Sequence, residues 1–143
     1  MGLLYHWRKE HYEDNCLEPS DAEDFWLSQD SKRWQEAERG EWVWAFSRRD
    51  DGRYVLVASY QVDCVEEKDE SWCRYTATSI KGTVVLYDPH EGEDIEPIIR
   101  QLPISLKNPS LGRNFQGRAA VKKIEPADEP DLIAFVKRQK TLG

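Results

Sequence analysis

Apolar and polar positions are patterned most regularly between Gly40 and Val62. Trp42, Trp44 and Phe46 alternate along one run, and an Asp50-Asp51-Gly52 turn separates it from a second run starting at Tyr54. Two β-branched and aromatic runs around an Asp-Gly step predict a hairpin. In the second run Tyr54, Leu56, Ala58, Tyr60 and Val62 alternate with Val55, Val57, Ser59 and Gln61, so both faces are largely apolar. A strand buried on both sides belongs in the interior of a sheet, and this hairpin is expected at its centre.

The flanking segments follow from weaker periodicities. Residues 2–7 suit a short strand, and residues 8–24 read as a polar loop with one helical turn. Phe25-Trp26-Leu27 runs into the polar Ser28-Gln29-Asp30. Asp30 or Ser31 can cap a helix through Glu38 that Gly40 ends, with Trp34 and Ala37 on its inner stripe. Glu66 to Ser71 reads as a charged connection, followed by strands at residues 72–77 and 80–87 and a loop at residues 88–92. Residues 94–102 predict a helix with Pro97 in its first turn and Ile95, Ile98, Ile99 and Leu102 inward. After a loop at residues 103–109 and a turn-rich segment at residues 111–117 comes a strand at residues 119–124. A last helix begins near Pro126 to Pro130, with Leu132, Ile133, Phe135 and Val136 facing the core and basic residues at its end. The elements amount to a single α+β domain over residues 1–143. It is a small, bent, mostly antiparallel sheet or β-barrel of five or six strands with three short peripheral helices.

Composition narrows the class. With 39% hydrophobic and 33% charged residues among 143, the chain reads as globular and long enough to bury roughly two thirds of its unfolded surface. No apolar run approaches the ~18 residues of a membrane-spanning helix, and the first residues lack the pattern of a secretory signal. Cys16, Cys64 and Cys73 are odd in number and form no Cys-x-x-Cys pair. They are expected to be reduced, mostly buried thiols of a cytoplasmic protein, with a Cys64–Cys73 cross-strand pair as the alternative. His6, His11 and His90 are too dispersed to suggest a metal site, and no cofactor motif is present. The net charge of −7 argues against nonspecific coating of nucleic acid. It is unevenly spread: residues 1–97 hold 11 Lys and Arg against 23 Asp and Glu, and residues 98–143 hold 9 against 4. A basic third in an acidic chain is compatible with an anionic partner or with a solvated surface.

Three stretches carry a family resemblance: Trp26-Leu27-Ser28-Gln29, Gly40-Glu41-Trp42-Val43-Trp44-Ala45-Phe46 and Gly52-Arg53-Tyr54-Val55-Leu56-Val57-Ala58. Together they resemble the core of PUA-like domains, closest to the EVE branch. Leu111-Gly112-Arg113-Asn114-Phe115-Gln116-Gly117 before a strand and a final helix resembles bacterial proteins of this architecture found beside HNH nuclease modules. The resemblance implies a small barrel whose pocket holds a nucleobase, often modified, flipped out of DNA or RNA. Such a ligand needs an aromatic platform, groups for its Watson–Crick edge, and cations for its phosphates. Trp26, Trp44 and Phe46 are the platform candidates, Trp26 and Phe46 the pocket walls. Ser28, Gln29, Ser47 and Asn114 are polar candidates, and Arg48, Arg49, Arg113 and Arg118 candidates for the phosphates. Gln29 stands where EVE domains tend to carry an Arg-Asn pair, and the N-terminal Lys-Ser/Thr-Glu-Pro motif is absent.

Each candidate also has a packing explanation. Trp42 and Trp44 can simply fill a core, the Arg48-Arg49-Asp50-Asp51 tip can pair with itself, and Asn114 can serve a turn. Two other function classes remain open. One is a protein-interaction module of a defence or regulatory assembly, whose acidic N-terminal half recruits a basic partner. The other is a magnesium-dependent nuclease, since Asp51 followed by Glu66-Glu67-Lys68 imitates an Asp…Glu-x-Lys metal site. No catalytic trio or phosphate-binding glycine loop is recognisable. The reading is a non-enzymatic binding module of unknown oligomeric state.

Overall fold

The computed structural model describes residues 2–7, 19–23, 25–29, 32–67, 74–100 and 121–142. Its strands are β1 (Gly2–His6), β2 (Trp26–Gln29), β3 (Trp42–Arg48), β4 (Tyr54–Glu67), β5 (Tyr75–Ser79), β6 (Val85–Leu86) and β7 (Val121–Ile124). The α-helices among the described residues are α1 (Lys32–Gln35), α2 (Glu96–Arg100) and α3 (Glu129–Lys137), and a 3-10 turn covers Pro19–Glu23. The strand order is β2-β5-β4-β3-β1-β7, with β6 pairing β4. Pairing is antiparallel except for β1 with β3, which run parallel. The fold is therefore α+β with the β3–β4 hairpin at its centre, as the two-sided burial predicts.

The hairpin closes through Gly52, whose φ of 90° belongs to glycine, and through the Arg49 N–H donating to the Arg53 carbonyl at 2.7 Å. Its second strand departs from simple alternation. Between Ala45/Ala58 and Phe46/Leu56, β3 advances one residue while β4 advances two. The extra residue, Val57, makes a β-bulge. Val55 and Val57 consequently join Ala58, Tyr60 and Val62 in one core, while Tyr54 and Leu56 enter the other. The strictly alternating faces expected for β4 are thus corrected by one residue. A second irregularity between Val62 and Val65 carries β4 away from β3 and onto β5.

This bend curls the sheet around a first core that includes Tyr5, Leu27, Trp34, Val43, Tyr60 and Ala77. A second core, including Leu4, Trp44, Phe46, Ile99, Leu132 and Phe135, lies on the other side under α2 and α3. Among the described residues the curl does not close into the expected barrel, because no ladder joins the edge strands β2 and β7. The short helix α1 lies in that gap and touches both β5 and β7. The Trp34 indole N–H donates to the Leu27 carbonyl at 3.0 Å, its ring meets Tyr5 at 5.1 Å, and the Tyr5 hydroxyl donates to the Ser28 carbonyl at 2.8 Å. Buried side chains so bridge a seam that backbone ladders leave open.

Several local expectations shift. Trp26–Gln29, to which the sequence pattern assigns no element, is a strand, and Glu66–Glu67 continue β4 rather than forming a connection. The expected strand at residues 80–87 shrinks to Val85–Leu86, because Gly82 with φ 88° and the Thr83 hydroxyl donating to the Ile80 carbonyl hold a turn. The last helix buries Leu132 and Phe135, but Ile133 is exposed. Cys64 is a free, exposed thiol, not a buried one; Cys16 and Cys73 fall outside the described residues, as do the segments at residues 103–109 and 111–117. Among the described residues no helix is long and apolar enough to cross a membrane.

Candidate functional site

Alternation along β2 sends Leu27 into the first core and leaves Trp26 and Ser28 on the opposite face. The antiparallel register sets Thr78 opposite Trp26 and Thr76 opposite Ser28 on β5. Next in the same surface come Cys64 and Glu66 of β4. The result is a sheet face with an aromatic ring at its edge and short polar side chains beside it. Trp26 is 53% exposed, the most exposed large apolar side chain among the described residues. The Ser28 Oγ and Thr76 Oγ1 are 2.8 Å apart and satisfy each other. The Thr78 hydroxyl donates to the Cys64 carbonyl at 3.2 Å and lies 3.3 Å from the Cys64 Sγ. Gln29 at the end of β2 is half-buried.

The arrangement has a charge gradient. The β4 side carries Asp63, Glu66 and Glu67, with Arg39 bonded to Asp63 at 3.0 Å and Arg74 near Glu67 at 3.8 Å. Beyond β2, the chain continues into α1, which carries the exposed Arg33. A flat ligand stacked on Trp26 would find hydroxyls toward β5, carboxylates two strand spacings away (about 10 Å), and a cation toward α1.

Phe46, Ser47 and Arg48 do not belong to this face. Phe46 is fully buried, with its ring stacked on His6 at 5.0 Å and set edge-on to Tyr54 at 6.0 Å. A ring enclosed by the second core cannot wall an open cleft, so its pairing with Trp26 is corrected. Ser47 is buried on the first-core face opposite Val55, and its Oγ has no hydrogen-bond partner among the described residues. Arg48 is exposed opposite Tyr54, at the start of β4, whereas β5 joins β4 at its far end. Arg48 therefore stands at the wrong end of β4 to rim the Trp26 face. Arg49 is held in the hairpin tip by Asp51 at 2.8 Å. Arg113, Asn114 and Arg118 lie outside the described residues.

The other tryptophans divide by burial. Trp44 is enclosed, and Trp42, 36% exposed, stacks nearly parallel to it with centroids 6.5 Å apart. The carboxylates of the nuclease pattern do not meet: Asp51 bonds to Arg49 and Arg53 in the turn before β4, and Glu66 and Glu67 end that strand. Among the described residues no three His, Cys, Asp or Glu side chains gather to hold a metal ion.

Sequence reasoning does not single out Thr76 and Thr78, and it reads Cys64 only as a thiol, not as part of this face. The signal was the alternation Tyr75-Thr76-Ala77-Thr78, matched by Trp26-Leu27-Ser28, which register alone brings side by side. No protein family, curated protein or solved structure matches this chain.

Proposed function

We propose that this chain is a non-enzymatic, PUA-like or EVE-like binding module for a modified nucleobase or nucleotide in nucleic acid, with Trp26 as the stacking platform. The observation that carries the reading is the 53% exposure of Trp26 on a strand whose other face is packed into the core. An indole costs about 1–3 kcal/mol to leave in water rather than bury, and a stacked base recovers a similar amount, ~1–3 kcal/mol. The half-buried Ser28 and Thr78 supply hydroxyls that can donate or accept at a base edge without introducing charge, while the buried Thr76 hydroxyl holds that of Ser28 in place. Gln29 supplies an amide at the end of the same strand.

The test is titration of the protein with nucleosides carrying methylated, hydroxymethylated and unmodified bases, and with short oligonucleotides containing them. Trp26→Ala should weaken binding of the preferred base by at least fivefold, about 1 kcal/mol, without changing the unfolding midpoint. Equal affinity for wild type and Trp26→Ala removes the ring from the site and ends this reading.

A second reading, a protein-interaction module, draws on the same ring and on the position of β2 at the sheet edge. An edge strand offers backbone groups to an added strand, and tryptophan is a frequent anchor of protein interfaces. Trp26-dependent capture of a protein from a nuclease-treated lysate, with no nucleoside binding, would favour it.

A further inference from the structure

The seam between the two edge strands gathers cations on the side of β2 away from β5. Helix α1 follows β2 directly, and the Trp34–Leu27 hydrogen bond pins it there. Arg33, the residue before Trp34, is exposed on this helix. Helix α1 also touches β7, the opposite edge strand, whose half-buried Lys122 lies on the face away from Val121 and Lys123. The contact between α1 and β7 brings two cations from different elements to one seam, in a chain whose net charge is −7. Burial, and then the nearby Arg33 charge, draw the Lys122 ammonium below its usual pKa.

We infer that the α1–β7 seam is a phosphate-binding strip. In it Arg33 and Lys122 hold the backbone of a single nucleic-acid strand whose base rests on Trp26. The inference rests on the reading of Trp26 as the base platform and names the path of the strand through that site. The charge gradient sets the direction. Glu66, opposite Thr76 on the Trp26 face, repels phosphates on one flank of Trp26, whereas Asp63 and Glu67 are paired with Arg39 and Arg74, so the backbone leaves over β2 toward α1 and β7. Arg48, the phosphate candidate legible in the hairpin, stands at the other end of β4 and is not part of this strip.

Lysines on an edge strand have another use, since charge there discourages edge-to-edge pairing between molecules. That use does not require Arg33 on a separate element to face Lys122. The two explanations predict different things.

The experiment measures binding of a short oligothymidylate across a salt series for wild type, Arg33→Gln/Lys122→Gln, the charge-conserving Arg33→Lys/Lys122→Arg, and Trp26→Ala. Each phosphate neutralised contributes about 0.7 to the slope of log affinity against log salt for single strands. The Gln pair should reduce the magnitude of the slope by about 1 to 1.5 and weaken binding at low salt by tenfold or more. The charge-conserving pair should retain the wild-type slope, and affinity for a free nucleoside should be the same in all three proteins. An unchanged slope in the Gln pair overturns the strip. So does a Gln pair that binds normally but self-associates in sedimentation, which would assign the cations to edge protection alone. Loss of slope with no effect of Trp26→Ala would keep the strip and remove the base platform, so the two ideas fail separately.

Discussion

Gly2 sets the closest packing constraint among the described glycines. It lies between β3 and β7, paired with Trp42 on one side and Ile124 on the other. A Cβ built there would fall 1.9 Å and 2.4 Å from two atoms of the Trp44 ring. The indole covers the bare backbone, and Trp42 stacks in turn on Trp44. Both strands holding Gly2 are laddered, so relief must come from the ring, which is buried in the second core. Gly2→Ala should therefore destabilise the fold by about 1–3 kcal/mol, the usual cost of overpacking. Denaturant unfolding followed by tryptophan fluorescence would measure it, and a loss under about 0.5 kcal/mol would mean that the ring moves aside freely. Nothing in the hydrophobic pattern announces this contact. Glycine near the start of a chain is unremarkable in sequence, and only the register of β1 against β3 puts it under an indole.

At the scale of elements, legibility tracks how local the determining interaction is. The β3–β4 hairpin was readable because its turn chemistry and its alternation lie within a few residues of each other. Its bulge was not, since every residue from Val55 to Ala58 is apolar and both assignments of faces bury the same groups. Strand β2 was missed because four residues with one alternation look like a loop until β5 supplies the partner. Helix α1 was placed correctly and drawn too long. At four residues it is far below the length at which a helix persists by itself, about 12–15 residues, so tertiary contacts must hold it. Trp34 supplies them, being fully buried between Tyr5 and the Leu27 carbonyl. Trp34→Phe keeps most of the apolar surface but leaves that carbonyl without its donor, a loss of about 1–3 kcal/mol. Trp34→Ala also opens a cavity and should cost about 3–5 kcal/mol. Because Trp34 pins α1 to β2, amides of α1 should exchange faster in Trp34→Phe while those of β3 stay protected. Uniform loss of protection would refute the seam as a local device.

At the scale of the whole molecule, the site was legible only in part for the same reason. Trp26, Ser28 and Gln29 share a strand and could be grouped from sequence; Phe46, Ser47 and Arg48 were grouped with them because an aromatic–polar–basic run looks alike on either strand. The long bent strand β4 is what separates them. Tyrosine hydroxyls tie this strand to its neighbours. Tyr60 donates to the Ala77 carbonyl at 2.9 Å, joining β4 to β5, and Tyr87 lies 2.9 Å from the Ser59 hydroxyl. Burial is the main reason that both phenols titrate above 10 in the folded protein, with Tyr5 adding to the rise at Tyr60. The unfolded chain loses these protons near pH 10 and the folded chain does not, so the unfolded state binds fewer protons above that point. Stability is fully present below about pH 10 and falls as pH rises, by up to about 1.4 kcal/mol per pH unit for each phenol that stays protonated. Tyr60→Phe should be less stable than wild type at neutral pH by about 1 kcal/mol, the worth of the lost hydrogen bond. It should also decline less steeply in alkali, so that the two stabilities converge as pH rises from about 10 toward about 11. A stability difference that stays constant across that interval would show that Tyr60 is not the group through which alkali separates the two halves of the sheet.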